Sequence, residues 1–158
     1  MEKILEVITN ELMVLMIATM PLVELRGAIP IGVSLGLHPL HATLIAILGS
    51  LIPMPFLYLF LEPVLKHLSK IKLLDRLVDR ISQRTLENSK KVRRFKRYSI
   101  IGLVVFVAIP IPSTGVWSGC LVALLLNIPF RYALPAISLG TIIAGTIIFV
   151  LTYWVAIL

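Results

Sequence analysis

The chain has 158 residues, 58% of them hydrophobic, with a formal net charge of +7 and a mean hydropathy of +0.99. Residues 41–61 and residues 133–158 contain no Asp, Glu, Lys or Arg, and each matches the roughly 20 apolar residues that a spanning helix needs. This composition excludes an ordinary soluble domain and predicts an all-α integral membrane protein. One cysteine, Cys120, excludes an intrachain disulfide and a cysteine metal cluster.

The first half begins with an apolar run over residues 12–23, which is too short to span a bilayer. A polar, Pro- and Gly-rich break follows it, then a second apolar arm over residues 28–37. Two arms of about 11 residues each reach roughly 16 Å, about half of the hydrocarbon core. We therefore predict a re-entrant hairpin, followed by one transmembrane helix from about residue 40 to residue 61.

The middle of the chain, residues 62–98, is strongly basic. It holds 12 Lys or Arg and four acidic residues, a net charge of +8, whereas the rest of the chain carries −1. Between membrane segments such a charge indicates a cytoplasmic loop under the positive-inside rule, rather than a nucleic-acid site. Apolar residues at helical spacing (Ile71, Leu74, Val78, Ile81) predict an amphipathic helix that can lie on an anionic membrane surface.

The second half repeats the order of the first. An apolar arm over residues 99–109 is broken by residues 110–119, and a second arm, an X-Pro stretch and a span over residues 133–158 follow. Each half then crosses the membrane once, so two alike units must have opposite orientations. We predict one membrane domain over residues 1–158 with an inverted repeat: 1–61, the linker 62–98, and 99–158. Four ordinary spans with both termini in the cytoplasm is the alternative.

Glu24 and Arg26 are the first candidate site residues, because charges at membrane depth are costly and commonly functional. Residues two apart do not face each other on a helix, so we expect Gly27 and Pro30 to open the backbone and let the two side chains pair. Arg26 could then hold an anion, and Glu24 could carry a proton. A purely structural ion pair is the alternative.

The second candidate site is the break over residues 110–119. A helix that starts there would direct unpaired N–H groups into the site, which suits an anion. Gly115 and Gly119 have the spacing of a close helix contact, and Trp117 could gate the site or anchor at the interface. The predicted site residues of this break are Pro110, Pro112, Ser113, Thr114, Gly115, Trp117 and Gly119.

Two stretches carry a family resemblance: ELRGAIPIG (24–32) and, about 80 residues later, PIPSTGVWSG (110–119). With them the chain resembles the small multidrug export protein family, which itself looks like a distant, reduced relative of the DedA superfamily. The resemblance implies two re-entrant hairpins with charged tips and movement of lipids or lipid phosphates, often coupled to an ion gradient. Glu24 matches the acidic residue of the first hairpin. Where the superfamily carries arginines in the second, this chain has Ser113 and Thr114.

Two functional hypotheses follow. The first is a transporter or lipid flippase, coupled to protons or sodium, that moves a small amphipathic anion past two facing tips. The second is a non-transporting scaffold whose basic linker binds anionic lipid or a protein partner. No enzyme motif or metal spacing occurs, so we predict no enzymatic activity and no cofactor. We predict that the protein is a homodimer in a prokaryotic cell membrane. Its expected partners are membrane lipids and not nucleic acid.

Overall fold

The computed structural model describes residues 2–68, 89–111 and 114–157, and these residues form seven α-helices and no strand. In chain order the helices are α1 (Glu2–Thr19), α2 (Glu24–Ser34), α3 (Pro39–Leu51), α4 (Pro53–Leu68), α5 (Ser89–Ala108), α6 (Val116–Leu125) and α7 (Phe130–Ile157). The all-helical prediction is confirmed. The centre of the basic linker, including the predicted amphipathic helix, lies outside the described residues.

The first two helices form an antiparallel hairpin. Near the turn, Thr19 ends α1 and Glu24 begins α2; far from it, the Asn10 amide donates to the Leu35 carbonyl at 3.1 Å. Gly32 permits this packing, because a Cβ there would lie 2.9 Å from a Val14 methyl. Two short helices are thus held side by side along their length.

The turn of this hairpin lies earlier than the sequence predicted. The chain turns at residues 20–23, and α2 then runs unbroken through Gly27 and Pro30. A proline removes the bond from its own N–H to the carbonyl four residues earlier, which here is Arg26 in the first turn of α2. The helix therefore loses one hydrogen bond near its N-terminus and does not open. The expected opening of the backbone at Gly27 and Pro30 was wrong.

The first long apolar segment comprises α3 and α4. His38 caps α3, since its Nδ1 accepts from the Leu40 N–H at 3.3 Å, and Pro39 opens the helix. A turn at Ile52, directly before Pro53, separates the two helices. Together they give a candidate membrane span over Pro39–Leu61, and α7 gives the other over Phe130–Val155.

The second half places α5 and α6 before α7. Gly119 of α6 faces α5, because a Cβ on it would lie 2.8 Å from a Val107 methyl. Gly140 of α7 packs against the same helix, where a Cβ would lie 2.8 Å from the Val104 carbonyl oxygen. In the first half Gly49 of α3 meets α1 in the same manner, 2.8 Å from the Leu15 carbonyl oxygen.

The joins between short arm and long helix have the same backbone bonds in both halves. After α2, the Leu37 N–H donates to the Gly32 carbonyl at 3.1 Å; after α6, the Ile128 N–H donates to the Ala123 carbonyl at 2.9 Å. Gly36 (φ 86°) and Asn127 (φ 51°) hold the left-handed position before these donors. This is a Schellman cap, and its second copy lies 91 positions after its first.

Candidate functional site

The helices α5 and α6 form the second hairpin, and the described residues of its tip, 109–111 and 114–115, lie against the first turn of α2. Two side chains of α2 join the segments, through hydrogen bonds between residues 83 to 93 positions apart in the chain. Glu24 reaches the start of α6, and Arg26 reaches the end of α5 and the turn after it. The contact therefore depends on both halves of the chain.

The Glu24 carboxylate lies at the N-terminus of α6 and is only 5% exposed. Its Oε1 accepts from the Trp117 N–H at 3.2 Å, and the Val116 N–H lies beside the carboxylate. The first N–H groups of a helix have no partner within that helix and favour an anion. Glu24 is thus the anion that caps α6, although it comes from the other hairpin.

Gly115 leaves room for this carboxylate. It is the residue before α6, and a Cβ added to it would lie 1.3 Å from Oε2 of Glu24. The backbone of Gly115 (φ −100°) is open to any residue, so the glycine is required for space and not for its conformation. Any side chain at position 115 would displace the carboxylate.

The backbone of Glu24 is strained. Its φ is 48°, in the left-handed region that glycine and asparagine tolerate best. A non-glycine residue held there costs on the order of 1–3 kcal/mol, and such residues cluster at functional sites. This backbone conformation lies at the first residue of α2, and with it the Glu24 carboxylate points out of the first hairpin toward the second.

Arg26 makes the second connection. One nitrogen, Nη2, has two hydrogens to donate and lies within hydrogen-bond distance of three oxygens: the Thr114 carbonyl at 2.9 Å, the Thr114 hydroxyl at 2.9 Å and the Ile109 carbonyl at 3.1 Å. These oxygens lie where α5 ends, and the last carbonyls of a helix have no partner within that helix. Arg26 adds a donor to the Ile109 carbonyl, which also accepts from the Ile111 N–H at 2.8 Å. Among the described residues, its own Nε is buried without a hydrogen-bond partner.

Thr114 organises the oxygens around Arg26. Its hydroxyl lies 2.7 Å from the Ile109 carbonyl and 2.9 Å from the Ile111 carbonyl, to either of which it can donate. The same oxygen accepts from the arginine. A hydroxyl can donate one hydrogen bond and accept others at the same time, so Thr114 closes the turn and also receives the guanidinium.

Glu24 and Arg26 do not form the direct pair that was expected. Within the described part of the chain, the ion pair closer than 4 Å is His41–Glu11, at 3.5 Å. Because α2 is helical from Glu24 onward, side chains two positions apart diverge. Each of the two charges instead binds the second hairpin, so the expected pairing within the first tip was wrong.

The other predicted site residues have different positions. Trp117 is half-buried, and its indole Nε1–H donates to the Thr19 carbonyl at 3.3 Å. Gly119 packs inside its own half, against α5, and Gly27 faces Val23, where a Cβ would meet a methyl at 2.2 Å. Pro110 is exposed at the second tip, whereas Pro30 is exposed in the middle of α2. Pro112 and Ser113 lie outside the described residues.

Two carbonyl acceptors, at Ile109 and Thr19, were missed by the sequence analysis. They lie at the ends of α5 and α1, where unpaired carbonyls are expected of any helix. The end of each apolar run was therefore a usable signal. Over the described ranges no group of three His, Cys, Asp or Glu could hold a metal.

The sequence comparisons give one result that covers most of the chain. A family model described as "Putative small multi-drug export protein" matches residues 24–147. No curated protein and no solved structure matches the chain. The match begins at Glu24 and includes α2, the second tip, the first long apolar segment and most of the second, and these apolar segments together with the family indicate a helical membrane protein. The chain therefore belongs to the small multidrug export protein family.

Proposed function

We propose that this protein is a membrane transporter of flippase type, which moves a small amphipathic anion past the two facing tips and is coupled to an ion gradient. The single observation that supports it is the contact of Glu24 with the start of α6. A buried acid that joins two halves of a membrane protein is a natural place for proton-dependent opening.

Glu24 and the substrate would compete for the same N–H groups. While Glu24 is ionised, its carboxylate occupies the start of α6 beside Gly115 and Trp117. Protonation removes the charge that those N–H groups attract, so the carboxyl leaves and a phosphate or carboxylate of the substrate takes its place. Arg26, whose Nε has no partner among the described residues, would then bind the same anion in a forked contact.

We propose that the two halves are an inverted repeat related by a pseudo-twofold axis through this contact. The copied Schellman caps support a register of 91 positions. In that register Glu24 corresponds to Gly115, the residue it touches, and a residue on a twofold axis meets its own counterpart. Transporters of this kind place the substrate site between the repeats.

The inverted arrangement requires two re-entrant hairpins, a cytoplasmic linker over residues 62–98 and both termini outside the cytoplasm. The accessibility of an N-terminal tag to an impermeant reagent in intact cells tests it. Labelling of the tag from outside is expected, and a tag reached only after permeabilisation would favour four ordinary spans.

We further propose that the protein acts as a homodimer in contact with membrane lipids. Two hairpins and two spans leave large apolar side chains exposed on several helices, among them Phe60 and Trp154 at 69%. Lipid and a second copy would cover these faces. Cross-linking in native membranes should give a dimer, whereas monomers alone would contradict this part of the proposal.

Proteoliposomes that contain the purified protein test the transport itself. Flipping of fluorescent anionic lipids and uptake of amphipathic anions are measured with a proton gradient, a sodium gradient or neither. We expect Glu24→Gln to lose the gradient dependence and Arg26→Ala to lose transport. If both variants transport like the wild type while a neutralised linker abolishes function in cells, the scaffold hypothesis replaces the transporter.

A further inference from the structure

Trp117 contacts both parts of the first hairpin. Its backbone N–H donates to Glu24 Oε1 at 3.2 Å, and its indole Nε1–H donates to the Thr19 carbonyl at 3.3 Å. Thr19 is the last residue of α1, so its carbonyl has no partner in that helix. One residue therefore presents an amide to the carboxylate and fixes that amide against the neighbouring helix.

Trp117 and Arg26 make the same type of contact in opposite directions. Each lies in the first turn of the second arm of its hairpin, and the two are 91 positions apart. Arg26 donates to the Ile109 carbonyl, one residue beyond the end of α5, and Trp117 donates to the Thr19 carbonyl, at the end of α1. Each hairpin thus caps the first arm of the other.

We infer that Trp117 is the uncharged counterpart of Arg26, a positioning residue whose indole N–H holds the start of α6 on α1 and so keeps the amides in register with Glu24. The role in transport rests on the proposed function above; the docking role does not. A neutral N–H bonded to a carbonyl carries no charge that a proton or an anion can neutralise. The hydrogen bond from the Trp117 indole to Thr19 therefore stays formed while the hydrogen bonds of Arg26 break, and α6 pivots about Trp117.

The sole cysteine of the chain gives a direct measurement. Cys120 lies three residues after Trp117 in α6 and is fully buried at 0% exposure. Its reaction with N-ethylmaleimide in detergent requires α6 to leave its site, so the labelling rate reports undocking and needs no engineered residue. A neutral hydrogen bond contributes about 0.5–1.5 kcal/mol, which corresponds to a change in opening of roughly 2- to 12-fold.

The test replaces the indole N–H and leaves the shape of the ring. Benzothienylalanine at position 117 exchanges that N–H for sulfur, and 5-fluorotryptophan at the same position keeps it. We expect Cys120 to react several-fold faster with benzothienylalanine and with Trp117→Phe, and at the wild-type rate with 5-fluorotryptophan. Trp154→Phe, at the exposed end of α7, is the matched control and should change nothing.

The outcomes separate the two proposals. Equal labelling rates for benzothienylalanine and 5-fluorotryptophan would show that only the packing of the ring matters, and would overturn the positioning role. A faster rate with benzothienylalanine, in a protein that moves no lipid or solute in vesicles, would keep the positioning role and reject the transporter. A change in both labelling and transport supports both.

Discussion

The two hairpins end in the same backbone cap, but their tips differ in chemistry. In the first, α2 supplies a carboxylate and a guanidinium, and it is anchored by a strained residue at its start. In the second, the tip supplies backbone N–H groups, carbonyls, one hydroxyl and the space at Gly115. Neither hairpin can form the site alone. In the inverted repeat that we propose, the shared architecture provides the positions, and the differences between the two halves provide complementary partners.

The cores around the two hairpins also differ, in the size of their buried side chains. Small side chains dominate around the first hairpin, with Ala18, Ala28, Ala42 and Ala46 fully buried. Around the second, larger side chains fill the core: Met54, Leu57, Tyr58, Leu103, Ile128 and Ile137. Small residues allow backbones to approach closely, so α2 packs along α1 and α3, whereas α6 packs mainly on α4. The first hairpin is the firmer platform, and α6 is the element that we expect to move.

The largest effect is expected at Gly115, where the comparison between the tips is sharpest. Gly115→Ala places a methyl on the Glu24 carboxylate and removes charged hydrogen bonds of about 1.5–3 kcal/mol each, so transport should fall by about 100-fold or more. Gly102→Ala is the matched control, because a Cβ there meets nothing within 4 Å. Wild-type transport by Gly115→Ala in vesicles would contradict the site.

Arg26→Lys tests the charged half of the contact. Lysine keeps the charge but cannot place one planar nitrogen among the three oxygens of Thr114 and Ile109, because its ammonium is a point charge on a flexible stem. We expect a loss of about 10-fold or more in transport. An Arg26→Lys protein as active as the wild type would show that charge alone matters here.

Gly49 and Gly140 test whether the two halves are packed alike. Each replacement by alanine forces a methyl onto a backbone carbonyl at 2.8 Å, and overpacking of this kind costs about 1–3 kcal/mol. Thermal unfolding in detergent should show similar losses for both. Gly145→Ala is the control, because its Cβ would meet side chains and no backbone: the flexible Ile47 at 2.8 Å and a methyl of Thr43 at 3.8 Å. A much larger loss at one of the first two positions would argue against equivalent packing.

Thr114→Val should have the smallest effect. It removes the hydroxyl that accepts from Arg26 but leaves the Thr114 carbonyl in place, so one hydrogen bond of the arginine is lost. Transport should fall about 3- to 10-fold, and Thr114→Ser, which keeps the hydroxyl, should restore most of it. Equal activity of the valine and serine variants would remove the hydroxyl from the site.

Much of this organisation is readable in the sequence. The apolar segments, the two breaks and their order predicted the helices, because length and hydropathy limit what each segment can do in a bilayer. That the two breaks together form a binding site stays a prediction, but they lie in contact. Gly115 and Trp117 touch Glu24, and Thr114 touches Arg26.

The local pairing could not be predicted. The sequence suggested a broken backbone at Gly27 and Pro30. The cost of a proline depends on which carbonyl loses its hydrogen-bond partner, and here that carbonyl lies at the start of a helix. The turn at residues 20–23 contains weaker signals than the stretch after it. Which carbonyl a long side chain reaches, such as Ile109 for Arg26, depends on how the two hairpins dock, and no local pattern encodes that.

The Glu24 carboxylate rests on Gly115 of the other hairpin, and the whole site depends on this contact. A double-mutant cycle on the stability of the purified protein tests it. Gly115→Ala should destabilise the wild type, because its methyl and the carboxylate claim the same space. In a Glu24→Ala background the carboxylate is absent, so the same change should cost nothing further, with a coupling of about 0.5–3 kcal/mol. Two losses that simply add would contradict the contact and the site built on it.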